Sequence, residues 1–168
     1  MTSLLIALDA DGVLLNYNDM FGKVWNKATG ATISCVEPRA YHATNYWGVE
    51  KPHKEHPFWD VFDKEGWNTM FAMEGAVEAC QMLVNAGHKL VCVTSMPAHR
   101  QADRLANLKA LGFPIDEVIA TGHCEDRLRN PKKEAIERLG PDWFVDDELR
   151  KLKDLPQVTR VFSFCLLF

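Results

Sequence analysis

Short apolar runs that alternate with helical patterns constrain the fold of this chain more than any other feature of its sequence. Each run ends at polar or turn residues, which is typical of a strand buried in a parallel sheet. Helical patterns separate the runs, and this alternation predicts an α/β fold with a doubly wound, mainly parallel sheet. The predicted strands are residues 4–8, 89–94, 117–120, 143–145 and 158–164, and the predicted helices are residues 75–85, 97–111 and 131–139.

One segment, residues 16–73, interrupts this alternation. It contains four of the five tryptophans and all three tyrosines but no long apolar run. A connection of this length is too long for a plain loop in a compact domain. We therefore predict a small, mostly helical insertion over one end of the sheet, with residues 1–15 and 74–168 forming the α/β core.

Composition and charge exclude several classes of function. The 168 residues are 47% hydrophobic, and their net charge of −4 gives no basic surface for a nucleic acid polymer. No apolar run approaches the ~20 residues that cross a bilayer, and the first run lacks the basic lead of a signal peptide. The five cysteines form no CxxC pair, which predicts free thiols and a reducing, cytoplasmic location.

Polar side chains suited to phosphate chemistry follow several of the predicted strands. Ligands of open α/β sheets bind beyond the carboxyl ends of the strands, so we expect these side chains to lie close together. Clustered carboxylates suit Mg²⁺, and a lysine ammonium and a hydroxyl suit phosphate oxygens. The residue types therefore predict Mg²⁺-dependent phosphate chemistry. The side chains concerned are Asp9, Asp11, Thr94, Ser95, Lys132, Lys133, Asp146 and Asp147.

The same residues resemble the four motifs of the haloacid-dehalogenase-like (HAD) phosphohydrolase superfamily. Residues 9–14, Asp-Ala-Asp-Gly-Val-Leu, resemble its first motif, and residues 91–95, Val-Cys-Val-Thr-Ser, look like its second. Lys132 is similar to the lysine of the third motif, and residues 144–147, Phe-Val-Asp-Asp, resemble the fourth motif in its double-aspartate form. The motifs occur in the family's order, and the family carries a cap after its first motif, where residues 16–73 stand.

The resemblance implies a phosphatase with a Rossmann-like core that acts through an aspartyl-phosphate intermediate. Asp9 would be the nucleophile, and Asp11 would protonate the leaving group and then take a proton from the attacking water. Mg²⁺ would be held by the carboxylates of Asp9 and Asp147 and by the backbone carbonyl of Asp11, with Asp146 supporting the metal. The resemblance assigns phosphate binding to Thr94, Ser95 and Lys132.

The sequence leaves two points open. Lys132 lies only 14 residues before Asp146, and Lys133 adjoins it, so either lysine fits the third motif and Lys132 is the better match. The substrate is expected to be a small phosphate ester, with nucleotides and phosphosugars as candidate classes. We single out Tyr46 and Trp47 of the insertion as an aromatic pair on which a nucleobase or a sugar would stack.

Two other functions compete with this one. Haloacid dehalogenases of the same superfamily need neither Mg²⁺ nor the second aspartate, so the presence of Asp11 disfavours them. A non-catalytic signalling or scaffold protein of the receiver type also gathers Asp, Thr, Lys and Mg²⁺ at the ends of parallel strands. Such proteins lack the inserted cap and place two acidic residues side by side, whereas here Ala10 separates Asp9 from Asp11.

Overall fold

A computed structural model of the protein describes residues 2–122, 129–156 and 160–163. Within these residues the strands are β1 (Leu5–Leu8), β2 (Leu15–Asn16), β3 (Phe71–Ala72), β4 (Lys89–Thr94), β5 (Val118–Ala120), β6 (Trp143–Asp146) and β7 (Arg160–Ser163). Five of them form one parallel sheet in the order β5–β4–β1–β6–β7. From the central β1 the chain moves to β4 and β5 on one side and then crosses to β6 and β7 on the other. The sheet is therefore doubly wound, and the predicted fold class is confirmed.

The predicted core helices are also present, with small shifts at their ends. The α-helices are α1 (Tyr17–Thr29), α2 (Ala43–Trp47), α3 (Pro57–Val61), α4 (Ala76–Asn85), α5 (Gln101–Ala110) and α6 (Lys133–Leu139). A π-helical turn covers Phe62–Gly66, and 3₁₀ turns cover Ala98–Arg100 and Leu149–Leu152. Helix α6 begins two residues later than predicted, and in the turn before it the side chain of Asn130 accepts a hydrogen bond from the backbone N–H of Lys132.

The two faces of the sheet bury different residues, because side chains alternate between the faces of a strand. Ile6 and Leu8 of β1 belong to a large apolar cluster on one face. Ala7 belongs to a smaller cluster on the other face, together with Phe144 of β6 and Ile136 of α6. The strand β1 is thus covered on both sides, which fixes the chain at its carboxyl end.

The segment between β2 and β3 is mostly helical, as predicted, and its buried aromatic residues belong to the same apolar cluster as residues of the sheet. The two short strands pair in antiparallel fashion where the segment leaves and rejoins the core. The ring of Phe58 lies 4.6 Å from that of Phe21 on α1 and 5.5 Å from that of Phe62, measured between centroids. These aromatic residues share one apolar cluster with Ile6 and Leu8 of β1. The division of the chain into a core and a cap with the stated boundaries stays a prediction.

The expectations of free thiols and of no membrane-spanning segment can be compared with the described residues. Cys35, Cys80 and Cys92 have free thiols, and burial raises the pKa of the Cys80 thiol to about 11; Cys124 and Cys165 lie outside these residues. No helix in the described ranges has both the length and the apolar character needed to cross a membrane.

Phe58→Ala should destabilise the whole protein, because Phe58 is fully buried in the apolar cluster that the insertion shares with β1. We expect the free energy of unfolding in urea, followed by circular dichroism, to fall by about 3–5 kcal/mol in a single transition. Trp59→Ala, at an exposed neighbouring position, is the control and should cost much less. Two separate transitions, of which Phe58→Ala shifts only one, would contradict the shared core.

Candidate active site

The carboxyl end of β1 is the centre of the candidate site. Its neighbours in the sheet, β4 and β6, come from the two halves of the winding, so this is the switch point at which α/β sheets bind ligands. The backbone N–H of Asp9 donates to the carbonyl of Val145 at 2.9 Å, which extends the pairing of β1 with β6. Asp9 therefore lies next to the strand end that carries Asp146 and Asp147.

Lys132 is a buried ammonium shared by two carboxylates. Its side chain is 1% exposed, and Nζ lies 2.6 Å from Oδ1 of Asp9 and 2.7 Å from Oδ2 of Asp146. Burial disfavours the charged form, but the two carboxylates outweigh this effect and raise the pKa of Lys132. The side chain of Lys133 is 44% exposed, and its Nζ lies 3.8 Å from Oε1 of Glu137 on α6. The structure thus brings Lys132, and not Lys133, to the carboxylates.

The contacts that hold Asp9 fall on one of its two oxygens. Oδ1 accepts hydrogen bonds from the backbone N–H of Ala10 at 2.7 Å and from Nζ of Lys132. Asp146 uses both oxygens, because Oδ2 accepts from Lys132 and Oδ1 accepts from the backbone N–H of Glu148 at 2.8 Å. Among the described residues, Asp9 is therefore held in one orientation with Oδ2 available, whereas Asp146 anchors the lysine.

Asp9, Asp146 and Asp147 form a carboxylate cluster. Each offers one oxygen, and these oxygens lie within 4.8 Å of one another. Burial raises the pKa of Asp9 to about 7, although Lys132 opposes the shift. Burial, and after it the negative charge of Asp9, raises the pKa of Asp147 to about 7. Crowded carboxylate oxygens of this kind are the ligands that a hard divalent cation takes, so these three residues fit such an ion.

Gly12 allows Asp147 to reach this cluster. A Cβ atom at position 12 would lie 2.1 Å from Oδ2 of Asp147, which is far inside any permitted contact. Gly12 also has φ +84°, in the left-handed region that glycine adopts without strain. The turn after β1 and the approach of the carboxylate therefore both require glycine, and the first and fourth sequence motifs meet at this point.

Asp11 is held by a different cation. Nη2 of Arg104, on α5, donates to Oδ1 of Asp11 at 3.0 Å. The side chain of Arg104 is 0% exposed, whereas that of Asp11 is 32% exposed. Sequence reasoning missed Arg104, because a single arginine in an amphipathic helix is typical of a surface position. The role of the Asp11 carbonyl as a metal ligand stays a prediction.

Thr94 and Ser95 lie at the end of β4, on the other side of β1 from Asp146. Thr94 is buried, and its carbonyl accepts from the backbone N–H of Thr121 at 2.9 Å. Oγ of Ser95 accepts from Nζ of Lys151 at 3.0 Å. Burial lowers the pKa of Lys151. Sequence reasoning missed Lys151, since no motif marks it, and the structure thereby adds a second ammonium beside a predicted phosphate-binding hydroxyl.

The aromatic pair predicted to stack on a substrate has packing partners within the insertion. Nε1 of Trp47 donates to the carbonyl of Asn18 at 2.7 Å, and the indole ring packs against Gly22 of α1. A hydrogen bond with the Cys35 thiol raises the pKa of Tyr46. A substrate-stacking role for Tyr46 and Trp47 stays a prediction.

Two other tyrosines of the insertion lie within electrostatic range of the carboxylates. Burial, and after it the negative charge of Asp147, raises the pKa of Tyr41. Burial, and after it the charge of Asp11, raises the pKa of Tyr17. The negative charge of the site therefore reaches both side chains, and the side chain of Tyr41 is buried only in part, with 55% of the residue exposed.

Comparison with known proteins finds similarity in structure only. No family model matches the sequence, and no curated protein matches it. A hydrolase from Streptococcus pneumoniae has a TM-score of 0.62 at 13% identity, covering 98% of this chain and 94% of its own. A structure described as a predicted phosphoglycolate phosphatase from Haemophilus somnus has a TM-score of 0.60 at 18% identity, covering 97% and 86%. A dehalogenase has a TM-score of 0.55 at 14% identity, covering 90% and 79%.

At these levels of identity the comparisons establish the fold. The similarity covers 98% and 97% of this chain in the first two cases, so it includes both the doubly wound sheet and the helical segment after the first strand. The protein shares the fold of these hydrolases, and the α/β fold that the resemblance to the four motifs implies is confirmed.

Removal of the Asp147 charge should stabilise the metal-free protein at high pH. Because the pKa of Asp147 lies near 7 in the folded state and near 3.8 otherwise, the folded state retains a proton that the unfolded state releases between these values. The free energy of unfolding therefore falls as the pH rises from about 4 to about 7. In EDTA at pH 8, the free energy of unfolding of Asp147→Asn should be higher than that of the wild type by at most about 4 kcal/mol. This limit follows from the shift in the pKa of Asp147, at about 1.4 kcal/mol per pKa unit.

The free energies of unfolding of Asp147→Asn and the wild type should also be compared at pH 5, where their difference shrinks. Urea titration at each pH measures both values. Asp116→Asn is a matched control, because the side chain of Asp116 is 91% exposed. A stability difference for Asp147→Asn that does not change with pH would contradict the assigned burial of the charge.

Lys151→Met should weaken the binding of inorganic phosphate by about tenfold, because it removes a buried ammonium next to the Ser95 hydroxyl. Isothermal titration calorimetry with phosphate in the presence of Mg²⁺ measures this change. Lys153→Met, at an exposed position on the same segment, is the control. Equal phosphate affinity in the wild type and Lys151→Met would exclude Lys151 from the anion site.

Proposed function

We propose that this protein is a Mg²⁺-dependent phosphatase that hydrolyses small-molecule phosphomonoesters through an aspartyl-phosphate intermediate. The observation that carries this proposal is the state of Asp9. Its Oδ1 is held by Lys132 and by the N–H of Ala10, and its Oδ2 lies free of such contacts among the described residues. An immobilised carboxylate with one oxygen available is what a nucleophile for phosphorus needs.

In the first half of the reaction, Oδ2 of Asp9 attacks phosphorus and the bond to the leaving oxygen breaks. Asp11 in its carboxylic acid form gives its proton to that oxygen, so that an alcohol leaves and Asp11 becomes a carboxylate. Lys132 keeps the Asp9 carboxylate in place throughout. The products of this half are the alcohol and the phosphorylated Asp9.

In the second half, water attacks the phosphorus of the aspartyl-phosphate. The Asp11 carboxylate takes one proton from that water, and the bond between phosphorus and Asp9 breaks. Inorganic phosphate leaves, and both aspartates return to their starting states. Atoms and charges therefore balance over the cycle without any further reactant.

The carboxylate cluster fits the metal that this reaction needs. Asp9 and Asp147 would hold Mg²⁺ together with the backbone carbonyl of Asp11, and the carboxylate of Asp146 would support the metal. When bound, Mg²⁺ supplies positive charge that lets an anionic carboxylate approach an anionic phosphate. Thr94, Ser95 and Lys132 would bind the phosphoryl oxygens, as the sequence motifs imply.

The negative charge of the chain and of the site favours a small ester over a nucleic acid polymer. The net charge of −4 and the carboxylates repel a nucleic acid backbone. Nucleotides and phosphosugars are the substrate classes we propose, with the aromatic residues of the insertion contacting the leaving group. Phosphoglycolate joins them as a candidate, because a structurally similar protein carries that substrate in its name.

Phosphate release from a panel of phosphomonoesters tests the proposal directly. The panel contains nucleoside monophosphates, sugar phosphates, phosphoglycolate and a chromogenic aryl phosphate, each assayed with Mg²⁺ and with EDTA. We expect release that depends on Mg²⁺, and the preferred ester identifies the substrate class. No release from any ester by folded protein would refute the proposal.

Asp9→Asn should lower kcat by at least about 1,000-fold, because it removes the nucleophile with little change in volume. Asp116→Asn is the surface control and should keep full activity. Thermal unfolding of both variants checks that they are folded. Near-normal turnover by Asp9→Asn would show that another residue attacks phosphorus.

The same assays separate the two alternative functions. Activity on a haloacid that survives EDTA would indicate dehalogenation. A stable phosphorylated Asp9 that forms without turnover would indicate a signalling or scaffold protein. The ion pair that holds Asp11 favours hydrolysis over dehalogenation, because dehalogenation does not need the second aspartate.

A further inference from the structure

A buried guanidinium contacts the site from α5, and the proposed mechanism assigns it no step. Nη2 of Arg104 donates to Oδ1 of Asp11 at 3.0 Å, and Nη1 lies 3.4 Å from Sδ of Met70. The centre of the guanidinium lies 5.7 Å from the ring centroid of Trp67. Nε is buried and has no hydrogen-bond partner in the described part of the chain.

This arrangement leaves part of the hydrogen-bonding capacity of Arg104 unused, which is not typical of an ion pair that serves stability. An arginine buried for stability is typically bound in bidentate fashion, with its donors used. Arg104 makes a single ion-pair contact, to the part-exposed carboxylate of Asp11, and it leaves Nε without an acceptor in the described part of the chain. Buried polar groups that stay unsatisfied cluster at functional sites, where geometry rather than stability is maintained.

The surroundings of Arg104 direct its charge to Asp11. Trp67 and Met70 cover the guanidinium with a ring face and a thioether, neither of which is a charged acceptor. Arg100, one turn earlier, shows the contrast: it is part exposed and pairs with both Asp63 and Asp103. Of the carboxylates in the described residues, Arg104 forms an ion pair with Asp11 alone.

The position of Arg104 is also fixed from the insertion. The side chain of Asn107, on the next turn of α5, accepts from the backbone N–H of Met70 at 3.1 Å and donates to its carbonyl at 3.0 Å. Both contacts are buried, so they join the end of the insertion to α5 firmly. The insertion, the helix and the second aspartate of the first motif thus meet at one guanidinium.

We propose that Arg104 is a positioning residue that holds the Asp11 carboxyl group through Oδ1, so that Oδ2 delivers the proton to the leaving oxygen. This inference rests on the proposed phosphatase function. In the step concerned, the O–H bond at Oδ2 breaks as the O–H bond of the departing alcohol forms. Arg104 touches neither phosphorus nor the alcohol, so its effect is confined to the proton transfer.

The prediction is a selective loss with poor leaving groups. Alkoxides need a proton as they leave, whereas acidic phenols leave without one. For Arg104→Met, kcat/KM for alkyl phosphates should fall by about 10²–10⁴-fold, while kcat/KM for nitrophenyl phosphate should fall by less than about tenfold. The ratio kcat/KM is the correct measure, because it reports only the steps up to departure of the alcohol.

The matched control is Arg100→Met, which removes an arginine that contacts the insertion but not Asp11. It should leave the leaving-group dependence unchanged. Arg104→Lys is the second variant, because it keeps a buried positive charge but lacks the planar set of guanidinium donors. It should show an intermediate loss that is again selective for alkyl phosphates. It replaces Arg104→Met if that variant fails to fold. An equal loss for aryl and alkyl substrates in the folded variant would overturn the inference, because it indicates a structural role.

A double-mutant cycle on the preferred ester tests whether Arg104 acts through Asp11. Asp11→Asn should lower kcat/KM, and adding Arg104→Met should cause no further loss beyond about threefold. Independent, multiplied losses would refute the positioning role. A wild type inactive on every ester would overturn the proposed function and this inference together, whereas an active wild type with unselective losses overturns the inference alone.

Discussion

The site depends on one buried ammonium, that of Lys132 between Asp9 and Asp146. The lysine precedes α6 and the aspartates follow β1 and end β6, so a single group joins three elements of the fold. Removing one member of a buried pair leaves a charge uncompensated and typically costs about 3–5 kcal/mol. The orientation of the candidate nucleophile is therefore tied to the stability of the sheet that carries it.

The remaining charges follow from this arrangement. Asp11 has its own buried cation in Arg104, so two cations face the four carboxylates of Asp9, Asp11, Asp146 and Asp147. When all four are ionised, as they are once Asp11 has given its proton to the leaving group in the proposed mechanism, two negative charges remain, and one divalent cation would balance them. The raised pKa values of Asp9 and Asp147 express the same imbalance, since protons are the other means of reducing it.

The sequence was most informative where chemistry and chain order coincide. Apolar runs ending at Asp9, Thr94 and Asp146 predicted both the parallel sheet and the side chains at its edge, because strand ends and site residues are the same positions. Arg104 and Lys151 were missed because their burial arises from tertiary packing, which a single helical residue does not reveal. Spacing likewise did not decide which of Lys132 and Lys133 is the lysine of the third motif. Burial distinguishes them, because Lys132 is buried against the carboxylates and Lys133 is part exposed.

The insertion and the sheet share one apolar cluster, and Asn107 fastens Met70 of the insertion to α5. A segment anchored in this way is not an interchangeable module. Chimeras that graft a foreign segment between β2 and β3 would open the hydrophobic interior and loosen the support of Arg104. Diversification of this scaffold, in nature or in the laboratory, is therefore expected to proceed through exposed positions that the charge of the site reaches, such as Tyr41, rather than through exchange of the whole segment.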